Sequence, residues 1–85
     1  VDIDWEYPVE GGNDAPPVPH RPEDIQNFIL VLQGFRDAFA KLPFKAELSV
    51  ASPAGPANYH HWDFKAICGL LDHINIMSYD LYGAW

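Results

Sequence analysis

The feature that most limits the fold of this chain is a hydrophobic period that switches back and forth between strand and helix along its length. Val1 to Pro8 alternates apolar and acidic residues, and alternation of this kind reads as an extended strand. Pro22 to about Leu42 then places Ile25, Phe28, Ile29, Leu32, Phe35, Phe39 and Leu42 at steps of three and four, which makes one buried helical stripe. Pro22 and the acids Glu23 and Asp24 suit a helix start, and Lys41 and Pro43 suit its end. Gly34 is a weak point inside, costing about 1 kcal/mol against Ala unless close packing needs it. A second strand is expected over Lys45 to Ala51, with Leu48 and Val50 on one face and Glu47, Ser49 and Ala51 on the other. A second helix is expected over Trp62 to Leu71, ended by Asp72, and a third strand over His73 to Tyr79. Strand, helix, strand, helix, strand is the order of parallel α/β structure.

The first strand carries the chemistry. At period two, Asp2, Asp4 and Glu6 line one face while Val1, Ile3 and Trp5 line the other. Like charges in a row repel, so a solvated edge would more often mix signs. An acidic face on an apolar-backed strand fits a polar cavity where carboxylates do work.

Asp2-x-Asp4-x-Glu6 followed by Tyr7-Pro8 resembles the catalytic signature of family 18 glycoside hydrolases, the chitinases, whose pattern is Asp-x-x-Asp-x-Asp-x-Glu. The segment Met77-Ser78-Tyr79-Asp80 resembles the family's Met-x-Tyr-Asp block. The resemblance covers the whole chain and implies an α/β fold that is part of a TIM (β/α)8 barrel, about strand 4 to strand 6 with the two intervening helices. Such barrels run to about 250 residues, so residues 1–85 are expected to be a fragment of a single catalytic domain, inactive alone and starting inside the motif.

The resemblance also implies roles. Glu6 is the general acid, Asp4 orients the substrate's acetamido group, Asp2 shares a proton with Asp4, and the Tyr79 hydroxyl holds the acetamido oxygen. Met77 shapes the pocket floor, Asp80 contacts the sugar, and Trp85 stacks on a sugar ring. Tyr7 is placed with the substrate-binding residues, although packing is the ordinary reading for it and for Trp5. The implied reaction is substrate-assisted, retaining hydrolysis of β-1,4-linked N-acetylglucosamine in chitin or chito-oligosaccharides. An endo-β-N-acetylglucosaminidase shares the acidic motif. A non-catalytic chitin-binding lectin typically lacks the acid, which is present here as Glu6.

With 12 acids against 5 bases, a net charge of −7 argues against nucleic acid or an anionic membrane surface as partner. No apolar run is long enough to span a membrane. No cofactor, metal or obligate protein partner is inferred, and secretion is expected from the family. Val9 to Arg21 reads as a long loop that could wall the substrate groove, and Ser52 to His61 as another. His60 and His61 are adjacent and are expected to diverge, which disfavours a paired metal site. The single cysteine, Cys68, is expected to be a packed structural thiol.

Overall fold

A computed structural model describes residues 1–12, 19–79 and 81–83. The described elements are β1 (Asp2–Ile3), α1 (Asp24–Phe39), β2 (Ser49–Pro53), α2 (Pro56–Tyr59), α3 (Phe64–Cys68) and β3 (His73–Met77). The strands form a parallel sheet in the order β1-β2-β3, with Asp2 opposite Ser49 and Ser49 opposite His73. The expected α/β alternation is present.

The strands are set by their partners rather than by their own patterns. β1 is only the two residues that pair with β2, yet alternation persists beyond it: Ile3, Trp5 and Tyr7 pack on the core while Asp2, Asp4 and Glu6 are exposed. The second strand is displaced from the expected Lys45–Ala51, because its ladder with β3 runs on to Pro53 opposite Met77. Before Ser49, the described contact with β1's chain is the Val1 ammonium donating to the Glu47 carbonyl at 2.7 Å. The third strand likewise ends at Met77, so Tyr79 lies beyond it.

In α1 the stripe forms from Ile25 to Phe39, with Phe28 and Leu32 fully buried and Ile25, Ile29, Phe35 and Phe39 packed around them, whereas Leu42, expected to complete it, lies past the helix end and is exposed. Asp24, buried in the first turn, accepts the Arg21 backbone N–H at 3.0 Å and the Asn27 amide at 3.4 Å. Its charge is also well placed beside the positive end of the helix dipole. The helix unwinds after Phe39 through shorter turns, Lys41 N–H to Ala38 and Leu42 N–H to Phe39. A Cβ at Gly34 would meet nothing within 4 Å among the described residues, so no described contact requires glycine there.

The expected second helix is shorter than Trp62–Leu71, running only over Phe64–Cys68 as α3, while α2, Pro56–Tyr59, falls in the stretch expected to be a loop. Asp63 caps α3 by accepting the Ala66 N–H at 3.0 Å, which starts the helix after Trp62 rather than at it. Trp62 is buried in the core all the same, with Ile67, Leu48 and Val50. Asp72 does not end a helix: its carboxylate accepts the Leu48 N–H at 2.8 Å and the Arg36 guanidinium at 2.8 Å, tying α1 to the start of β2. Cys68 is exposed, contrary to expectation, because α3 is a little over one turn long and turns Ile67, not its neighbour, into the core.

Candidate active site

Carboxylates need a rigid backing if they are to hold position, and aromatic packing supplies it. The Trp5 ring meets Phe28 edge to face, with centroids 5.7 Å apart, and Phe28 in turn meets Trp62 at 5.1 Å. Trp5 lies between Asp4 and Glu6 in sequence, so the core of α1 anchors the segment that bears both. Pro8, just past the acids, is fully buried. The peptide bond between Glu6 and Tyr7 is cis.

On the other side, Asp2 joins all three strands. Its Oδ1 accepts the Ser49 hydroxyl at 2.6 Å and the Asn75 amide at 3.2 Å. The short Ser49 bond is what a charged acceptor produces. Sequence reading treated Ser49 only as a small interior residue and did not single out Asn75. The available signal for Asn75 was its polar side chain between Ile74 and Ile76, on the face opposite to theirs. Asp4 and Glu6 are exposed, with no hydrogen bond or ion pair to their carboxylates among the described residues, which leaves both open to a ligand.

Of the other expected site residues, Met77 is half-buried at the end of β3 and Tyr79 is 73 % exposed two residues further on. Tyr79 thus falls outside the third strand, which was expected to reach it. Tyr7 is half-buried against the core, and its ring lies beside Gly11, where an added Cβ would stand 2.8 Å from Cδ2 and overlap the Asn58 amide. Gly11 also has φ +105°, a conformation glycine accepts without strain. Asp80 and Trp85 lie outside the described residues.

Two further features lie near the sheet. An apolar groove of about 360 Å³, lined by residues that include Tyr59, Phe64, Ile74 and Ile76, sits on the face of the sheet opposite Asp2, Ser49 and Asn75. In an α/β barrel that outer face is covered by helices, whereas the catalytic groups project from the strand ends. Beyond the strand ends, His60 and His61 converge instead of diverging. Their rings are 3.8 Å apart, and His61 Nε2 is 2.7 Å from Glu10 Oε1. The hydrogen bond and charge of His61, aided by His60 and His20, hold the Glu10 carboxyl below the usual glutamate range.

A parallel sheet backed by helices, with carboxylates arrayed on the opposite side, is a scaffold of the kind glycoside hydrolases use to flank a glycosidic bond with acids. Comparison with known proteins supplies the family. The family described as "Glycosyl hydrolases family 18" matches residues 1–85, and the chain belongs to it. It is 43 % identical over its whole length to "Chitinase A1" of Niallia circulans and 38 % identical to "Chitinase 1" of Aphanocladium album, spanning 12 % and 19 % of those proteins. Among solved structures, chitinase ChiA74 from Bacillus thuringiensis superposes with a TM-score of 0.87 at 42 % identity, over 99 % of this chain and 14 % of that one. A family 18 N-acetylglucosaminidase from Paenibacillus barengoltzii gives 0.83 at 26 % identity, over 99 % and 25 %.

Proposed function

We propose that residues 1–85 are the fourth to sixth strands of a single (β/α)8 catalytic domain, and that the complete protein is a secreted chitinase. The observation that carries this reading is the exposure of Asp2, Asp4 and Glu6 together, while the residues between them pack inward. Glu6 is a carboxylic acid in the position of a general acid, which favours an enzyme over a lectin. The substrate is chitin or its oligomers, the class named for the relatives above. The structural likeness to an N-acetylglucosaminidase keeps the same sugar and the same linkage chemistry in view.

In the proposed mechanism Glu6 gives its proton to the glycosidic oxygen as the bond from that oxygen to the anomeric carbon breaks. The substrate's own 2-acetamido carbonyl oxygen bonds to that carbon and closes an oxazolinium ring. Asp4 accepts the acetamido N–H, aiming the carbonyl and offsetting the positive charge that develops on the ring. Asp2, held through Oδ1 by Ser49 and Asn75, keeps Oδ2 for a proton shared with Asp4. The Tyr79 hydroxyl donates to the acetamido oxygen. Water then attacks the anomeric carbon, Glu6 takes its proton, the ring opens, and the configuration is retained. Met77 forms the floor, and Tyr7, Asp80 and Trp85 contact the sugars.

The test uses substrates and the complete protein. A fully deacetylated oligomer should bind but not be cleaved, because it lacks the attacking oxygen. A thiazoline analogue of the cyclised sugar should bind roughly 10²-fold or more tighter than substrate. Rapid cleavage of the deacetylated oligomer, or a covalent sugar ester on Asp4 or Asp2, would overturn the mechanism.

A further inference from the structure

Imidazole and carboxylate groups gathered at one point attract transition-metal ions, and three such groups meet beside the acidic face. Glu10 follows β1, and His60 and His61 follow β2, so the group joins two connections that leave the same end of the sheet. One ligand atom from each of the three lies within 4.8 Å of the others. Tetrahedral zinc with bonds of about 2.0–2.2 Å spaces its ligand atoms roughly 3.3 Å apart, so small side-chain rotations close the difference.

The hydrogen bonding is compatible with a metal ligand set. His60 Nδ1 is 2.8 Å from the Pro56 carbonyl, and since a carbonyl only accepts, Nδ1 carries the proton and Nε2 carries the lone pair. A backbone carbonyl on the far nitrogen is the usual device that orients a metal-binding histidine. Between His61 Nε2 and Glu10 Oε1, at 2.7 Å, a proton now occupies the place between two ligand atoms. A metal ion entering there displaces that proton to solvent or to the other ring nitrogen. His20, which precedes α1, adds a buried Nδ1 with no hydrogen-bond partner among the described residues.

We propose that Glu10, His60 and His61 form a zinc site that ties the connection after β1 to the connection after β2 at the edge of the acidic face. Two imidazoles and one carboxylate suit zinc and leave its fourth position to water. Magnesium, which prefers an all-oxygen octahedron, is a poor fit. The site is structural: it fixes the segment that follows Glu6 and Tyr7, and it takes no part in breaking the glycosidic bond.

The experiment is calorimetric titration of the complete, chelator-treated protein with zinc chloride, alongside magnesium chloride. Zinc should bind saturably at one ion per chain and raise the melting temperature, and magnesium should do neither. His60→Ala and Glu10→Gln should each weaken zinc binding at least about tenfold. Cobalt should give the absorption of a tetrahedral ion in the parent protein, removed by added zinc, a readout that does not depend on any variant folding. Absence of saturable zinc binding, unchanged affinity in the folded variants, or equal binding of magnesium would each overturn the assignment and leave an ordinary His61–Glu10 ion pair.

Discussion

The Trp5 ring stands edge to face on Phe28 of α1, 5.7 Å between centroids, and so fastens the stretch that carries Asp4 and Glu6 to a fully buried residue of the core. Because Phe28 also meets Trp62, one ring links the acidic stretch, the long helix and the segment before α3. Phe28→Ala in the complete protein should therefore cost about 3–5 kcal/mol in denaturant unfolding. It should also lower turnover at temperatures where the variant is still folded. A variant with parental stability would show that Phe28 does not support the acids.

Ser49→Ala removes the shorter of the two bonds that hold Asp2 Oδ1. A hydrogen bond to a charged group contributes about 1.5–3 kcal/mol when buried, and less at this exposed position. The expected result is a small loss of stability with a larger loss of kcat than of substrate affinity, because Asp2 keeps its charge but not its orientation. Equal kinetics in Ser49→Ala and parent would separate Ser49 from the reaction.

Glu6→Gln keeps the shape of the side chain and removes the transferable proton. General acid catalysis is worth about 10²- to 10⁴-fold, so hydrolysis should fall by that factor while oligosaccharide binding persists. Turnover and binding measured on the same folded sample decide it, and near-parental turnover would favour the lectin reading.

Asp72, like Glu10, has a carboxyl whose folded-state environment favours its charged form. The Leu48 N–H, then the Arg36 guanidinium, hold its carboxyl below the ordinary value of 3.8. A folded-state pKa below the unfolded one stabilises the fold fully above the unfolded value, and that contribution is lost as pH falls through the folded value. Stability measured by urea midpoints should therefore drop as pH falls below about 4, and Asp72→Asn should flatten that acid limb. An unchanged slope in the variant would assign the acid response to other groups.

Much of this was legible in the chain itself. The inward turn of Ile3, Trp5 and Tyr7, the outward turn of Asp2, Asp4 and Glu6, and the stripe from Ile25 to Phe39 all follow from a local period. A period belongs to the backbone conformation of a few consecutive residues, so neighbours in sequence suffice to read it. The α/β order and the family signature were readable for the same reason, since each lies within short runs.

What only the tertiary structure decided is everything that depends on which distant residue stands opposite. The β2 strand runs from Ser49 to Pro53 because β3 pairs with it there, not because its own pattern begins or ends at those residues. Asp2 meets Ser49, 47 residues away, and Asn75, 73 residues away, through sheet register, which alternation along one strand cannot specify. Cys68 faces solvent because α3 turns its neighbour Ile67 into the core, and α3 starts after Trp62 because the Asp63 side chain caps it there. His60 and His61 converge on Glu10 because two connections leave the same end of a parallel sheet, and that closeness is created by folding rather than written in any stretch of sequence.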